Sequence, residues 1–178
     1  MKLNDILKGL EVLSATADMA QEITGVSYDS RTTAPGNVFV AISGEAVDGH
    51  RFIPIAAEKG AVCVVCERVP ERDIPYVQVK SSRKALALMA ANWFDHPACE
   101  MTMVGVTGTS GKTTSTYLIK NILEQKAGAK VGLVGTIQNM IGDQVLHTER
   151  TTPESFELQK LFRQMSDAGC THVVMEVS

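Results

Sequence analysis

The chain reads as an α/β protein in two parts. A small α/β domain is expected over residues 1–98, and the first part of a parallel-sheet domain over residues 99–178. Three observations carry that reading. Short apolar, β-branched runs alternate with longer stretches of helical period. A glycine-rich loop, Gly108 to Gly111, stands between a strand-like run and a helix-like run. From residue 101 the order is strand, helix, strand, helix, strand, which implies parallel strands with both faces covered.

The elements follow in order. Leu3 to Leu10 reads as a short helix, and Gly25 to Arg31 as a strand running into a loop. Gly36 to Ile42 is a strand entered from the Pro35-Gly36 turn. Arg51 to Lys59 forms a helix stopped at Gly60. Strands at Ala61–Cys66 and Pro75–Val79 come next. Ser82 is placed to cap a helix running to about Asp95, with Leu86, Met89, Ala90 and Trp93 on one face. His96-Pro97 ends that helix and marks the domain boundary near Pro97 to Glu100. Beyond it lie a strand over 101–107, the glycine loop, and a helix from Thr114 to Lys126. Lys130–Val134 is a strand, and Asn139–Leu146 a hairpin turning at Gly142-Asp143. Thr152 is expected as an N-cap with Pro153 at the first helical position. Leu158, Leu161, Phe162 and Met165 keep helical period up to Gly169, and His172–Val177 is the last strand. An apolar strand so near residue 178 suggests the N-terminal part of a longer protein, since a buried strand needs a covered sheet around it.

Composition excludes several classes. A net charge of −3 gives no basic field for nucleic acid. No apolar run approaches the ~20 residues of a membrane span, and no signal peptide is evident, so a cytoplasmic location is expected. Cys63 and Cys66 have metal-ligand spacing, but they sit in a strand, where residues three apart face opposite sides. They read as buried structural thiols. His50, His96, His147 and His172 are dispersed and read as packing or surface residues.

The chemistry concentrates in Gly105-Val-Thr-Gly108-Thr109-Ser110-Gly111-Lys112-Thr113-Thr114. Glycines let successive N–H groups turn toward one anion, and the helix behind adds unpaired N–H groups and partial positive charge. Lys112 is placed to reach nucleotide phosphates and Thr113 to reach Mg²⁺. Val106 stands where the strict motif has its first glycine, so the shorter form Gly108-x-x-Gly111-Lys112-Thr113 carries the reading. Glu176 ends a strand expected to run parallel to the one feeding the loop, where ligands of open α/β sheets gather. It is a candidate second Mg²⁺ contact, with a solvent-facing carboxylate as the plainer alternative. Glu149 to Pro153 is rich in donors and enters a helix, consistent with anion binding or simple capping. Asp29-Ser30-Arg31 and Gly44 to Arg51 are polar stretches at strand ends. Arg31 and Arg51 there are candidates for a diphosphate, and surface turns the blander reading.

Taken together, Tyr28-Asp-Ser-Arg31, Gly36-x-Val-Phe-Val-Ala41, Asp48-Gly-His-Arg-Phe-Ile53, the glycine loop and Met175-Glu-Val-Ser178 resemble the Mur ligases, in the family's order and over essentially the whole chain. The resemblance implies an ATP-dependent amide ligase of peptidoglycan precursor synthesis. Such an enzyme phosphorylates the D-glutamate side-chain carboxylate of UDP-N-acetylmuramoyl-L-alanyl-D-glutamate. A diamino acid, L-lysine or meso-diaminopimelate, then attacks the acyl phosphate. By resemblance, Gly108, Thr109, Ser110, Gly111, Lys112, Thr113 and Thr114 would bind ATP, and Thr113 and Glu176 would hold Mg²⁺. Lys112 would be the catalytic residue on the phosphates. Tyr28, Ser30, Glu45, Ala46 and Val47 would line the uridine diphosphate site. Arg150, Thr151, Thr152 and Ser178 would contact the muramoyl-peptide. Arg150 stands where many relatives have Asn, and Glu45 where some have His. The diamino-acid site of the family lies outside this chain, so the chain alone is expected to hold the UDP precursor, to bind ATP poorly and not to ligate. The alternatives are another ATP-dependent ligase of this type, such as folylpolyglutamate synthetase, or a non-catalytic nucleotide-binding module. The uridine-nucleotide domain argues against the former.

Overall fold

The structure, a computed structural model, describes residues 1–44, 47–148 and 151–178. The chain forms two compact units, Met1–Trp93 and Phe94–Ser178. The division falls five residues before the expected 98/99 boundary.

In the first unit, α1 (Leu3–Ile6), β1 (Val12–Ala15), β2 (Gly25–Ser27) and β3 (Asn37–Val40) lead into a 3-10 turn at Gly49–Phe52. α2 (Ile53–Glu58), β4 (Cys63–Cys66), β5 (Tyr76–Val79) and α3 (Ser82–Trp93) follow. The sheet order is β1-β5-β4-β3-β2. β2 to β5 run parallel, and β1 pairs antiparallel with β5 at the edge. Alternation divides the strands between two cores. Phe39, Ala41, Val64 and Cys66 pack with Ile53 and Ala56 of α2. Val38, Val40, Cys63 and Val65 are equally buried and project to the opposite face, where α3 meets β4. Cys63 and Cys66 are free, buried and on opposite faces, as their spacing required. Burial pushes their thiols up, to about 12 and about 11.

The second unit begins with a 3-10 turn at Pro97–Glu100, then β6 (Thr102–Val106), α4 (Lys112–Ala127) and β7 (Val131–Val134). β8 (Asn139–Ile141), β9 (Gln144–Leu146), α5 (Ser155–Asp167) and β10 (His172–Glu176) complete it. The order is β6-β10-β7-β8-β9. The first three strands are parallel, as the βαβαβ order implied, and the hairpin β8–β9 extends the sheet antiparallel. α4 covers one face, where Tyr117, Ile119 and Leu123 meet Val131, Leu133 and Val174. α5 covers the other, with Leu161, Phe162 and Met165 against Val134 and Val173.

Two expected caps are corrected. Ser82 is the first residue of α3 and is buried; Ser81 Oγ accepts from the Lys84 N–H at 3.4 Å and takes the capping role. Thr152 does not cap α5, which starts at Ser155 with Glu154 as its N-cap. The Thr152 hydroxyl is engaged elsewhere, as described next.

Candidate phosphate-loop site

Sheet register explains how the site is assembled. Val174 of β10 faces α4, so Glu176, two residues on, faces the same side. Glu176 lies opposite Val106, the last residue of β6 before the glycine loop. Gly108 and Gly111 then take left-handed backbone angles, φ +148° and +77°, and α4 begins at Lys112. Thr113 therefore stands in the first helical turn, beside the end of β10. Its hydroxyl donates to Glu176 Oε2 at 3.1 Å. Residues 107–111 are exposed. Lys112 Nζ lies back over the loop and donates to the Gly108 carbonyl at 2.8 Å.

Glu176 is only 1% exposed. The plainer reading of a solvent-facing strand end is therefore excluded. Its other donors come from Thr136, just past the end of β7. The Thr136 N–H reaches Oε1 at 3.0 Å and its hydroxyl reaches Oε2 at 3.1 Å. Thr136 was not singled out in the sequence, because a lone threonine after a strand carries no pattern.

The loop before α5 closes the group. Thr151 Oγ1 lies 3.1 Å from Thr136 Oγ1. Thr152 Oγ1 donates to the Glu176 carbonyl at 3.0 Å, accepts from the Ser178 N–H at 3.2 Å, and lies 3.0 Å from Ser178 Oγ. The structure thus brings Thr113, Thr151, Thr152, Glu176 and Ser178 into one connected group. Arg150 lies outside the described residues.

Among the described residues no group of three or more His, Cys, Asp or Glu is placed to hold a metal ion. A hard cation such as Mg²⁺ asks for less, one or two protein oxygens with phosphate and water completing its shell. The Thr113 hydroxyl and the buried Glu176 carboxylate fit that donor set. Among the described residues Glu176 receives only neutral donors, and no Lys or Arg pairs with it.

In the first unit, Tyr28 and Ser30 follow β2, and Val47 lies in the loop after β3. The two strands are parallel neighbours, so both loops leave the same sheet edge. Tyr28 is half-buried, Ser30 buried and Val47 exposed. Glu45 and Ala46 lie outside the described residues. Arg31 is engaged by Asp29 through a fork, with Nη2–Oδ2 at 2.6 Å, and this holds Asp29 below its usual range. His50 is a packing residue: Nδ1 meets Asp48 at 2.8 Å and Nε2 accepts from the Glu67 N–H at 2.9 Å. The His50 N–H, then its ring, and then Arg68 bond the Asp48 carboxyl and hold it at about 2. A cleft of about 530 Å³ opens beside this network, rimmed by Arg51, Arg68 and Arg72; Tyr28, Ser30 and Val47 do not line it.

Residues 22–94 match the model of the Mur ligase family catalytic domain, and residues 106–178 that of the Mur ligase middle domain. Together the two matches define a protein with the N-terminal and middle domains of the Mur ligases, and the chain belongs to that family. Its relatives include the UDP-N-acetylmuramoyl-L-alanyl-D-glutamate–2,6-diaminopimelate ligase of Clostridium tetani, 48% identical over 183 residues. The enzyme of that name from Bacteroides thetaiotaomicron is 44% identical over 181 residues. All of this chain is covered in both cases, but it spans only 38% and 37% of their lengths. Among solved structures, a UDP-N-acetylmuramoyl-L-alanyl-D-glutamate–2,6-diaminopimelate ligase superposes over the whole chain and 36% of its own, with TM-score 0.79 at 22% identity. A MurF ligase from Thermotoga maritima in complex with ADP covers 88% of this chain and 32% of its own, with TM-score 0.57 at 27% identity. No helix among the described residues is long and apolar enough to cross a membrane.

Proposed function

We propose that this chain is the nucleotide- and precursor-binding part of a cytoplasmic, ATP-dependent amide ligase that extends UDP-N-acetylmuramoyl-L-alanyl-D-glutamate. The amine partner is 2,6-diaminopimelate, the diamino acid in the names of the relatives. The observation that carries the reading is the buried Glu176 carboxylate beside Thr113, directly behind an exposed glycine loop.

A carboxylate is a poor electrophile. Phosphorylation gives it a leaving group, and the enzyme's work is alignment and charge neutralisation. Lys112 exchanges the Gly108 carbonyl for phosphate oxygens. The N–H groups of the loop and of the first turn of α4 face the same anion. Thr113 and Glu176 would hold Mg²⁺, which when bound supplies neutralisation of the developing phosphate charge. Thr151, Thr152 and Ser178 bind the muramoyl-peptide; their bonds to Thr136, Glu176 and each other set the acceptor carboxylate beside the γ-phosphate. Tyr28, Ser30 and the 45–47 segment hold the uridine diphosphate end.

The test is calorimetric titration of the chain with Mg²⁺-ATP and, separately, with UDP-N-acetylmuramoyl-L-alanyl-D-glutamate, using UDP-glucose as comparison. Saturable binding of both ligands, with preference for the muramoyl-dipeptide over UDP-glucose, is expected. A folded sample that binds neither would refute the proposal.

A further inference from the structure

We infer that Thr136 is a positioning residue of this site: it sets the plane of the Glu176 carboxylate for Mg²⁺ and ties that carboxylate to the loop at Thr151. The inference rests on the reading that nucleotide and Mg²⁺ bind at the glycine loop.

Burial alone does not fix a glutamate, because its terminal torsion is broad. Here one residue grips both oxygens, with its N–H on Oε1 at 3.0 Å and its hydroxyl on Oε2 at 3.1 Å. That fork fixes the carboxylate plane, with the Thr113 hydroxyl on the same Oε2. The backbone is prepared for it. A Cβ at Gly135 would lie 2.8 Å from Glu176 Oε1, so only glycine lets the carboxylate close against the chain there. Behind the bend, the buried Asn139 accepts from the Gly135 N–H at 3.3 Å. Thr136 itself is exposed and adds nothing to the core, yet both of its donors turn inward to a buried anion. Its hydroxyl has one proton for two neighbours, Glu176 Oε2 and Thr151 Oγ1. The orientation of the carboxylate and the position of the Thr151 loop are therefore linked through a single oxygen.

The experiment compares this chain with Thr136→Val and Thr136→Ser. ATP binding is measured by calorimetry in Mg²⁺ and in EDTA, with a thermal melt for each protein. Thr136→Val is expected to lose about tenfold in the Mg²⁺-dependent part of ATP affinity, the usual scale for a residue that orients a metal ligand. Its affinity in EDTA should be unchanged, and Thr136→Ser should restore the wild-type value. Thr136→Ala replaces the valine variant should that one not fold. A folded valine or alanine variant with wild-type Mg²⁺ dependence overturns the inference, as does an equal loss with and without Mg²⁺. Wild-type chain that binds no ATP overturns the underlying functional reading and this inference with it.

Discussion

Glu176 shows what a single residue owes to its register. Its partnership with Thr113 was legible in the sequence, because a parallel strand order and a two-residue period place it beside the loop. Thr136 was not legible, because its role depends on how β7 ends rather than on a repeat. Two hydroxyls hold Oε2, and a hydroxyl accepts as readily as it donates, while the Thr136 N–H on Oε1 needs only an amide oxygen. Glu176→Gln therefore keeps a full set of hydrogen bonds while removing a buried charge. We expect this variant to melt within a few degrees of wild type or above it, and to lose Mg²⁺-enhanced ATP binding; a melting point lowered by more than ~8 °C would show that the charge itself stabilises the fold. The cysteines give a second check. Thiols pushed up to about 12 and about 11 hold almost no thiolate at pH 8. Native chain treated briefly with a maleimide should be modified at Cys99, which is exposed, and not at Cys63 or Cys66. Rapid labelling of either would mean that β4 opens easily.

Among the elements, most helices and strands follow from apolar period, and the misses have physical reasons. β1 is a four-residue edge strand, largely exposed, so it shows no buried face to read. The hairpin 139–146 was visible from its turn, but its addition to the parallel sheet depends on pairing with β7, which local sequence does not encode. The caps moved by one or two residues because neighbouring side-chain oxygens, the Ser81 hydroxyl and the Glu154 carboxylate, take the role. The 3-10 turn at Pro97–Glu100 is tied to α5 through Arg163, whose Nη1 and Nη2 donate to Glu100 at 2.7 and 2.6 Å. That fork, with Ser166, lowers the Glu100 carboxyl from 4.5 to about 2. A depressed carboxyl contributes stability that is complete above its unfolded value and lost as pH falls through the folded one. Protection factors of amides near the turn, corrected for the intrinsic exchange rate, should thus fall as pH drops from about 4.5 to about 2, and Glu100→Gln should flatten that dependence. An unaltered profile in the variant would assign the acid sensitivity to another group.

For the whole molecule, the sequence places a boundary near Pro97 to Glu100, and the structure divides between Trp93 and Phe94. Each unit has its own sheet and its own core. By the proposal above, the uridine end of the precursor falls to the first unit, and its muramoyl-peptide end falls with ATP to the second. Lys112→Ala should weaken ATP binding by tenfold or more, the loss of one charge-assisted contact of about 1.5–3 kcal/mol. Binding of the UDP-linked precursor, measured in the same sample without ATP, should be unaffected. A parallel loss of both would contradict the assignment of Lys112 to the nucleotide phosphates alone.

The loop glycine at 111 has one more consequence. A side-chain carbon added there would meet nothing within 4 Å, so room is not what excludes other residues. The obstacle is handedness, since φ +77° and ψ −1° mirror a conformation that ordinary L-residues adopt freely. An L-alanine should be strained by roughly 1–2 kcal/mol. A D-alanine of the same size, introduced by chemical ligation, should fit the loop and preserve nucleotide binding. Stereochemistry alone then separates a working phosphate loop from a distorted one.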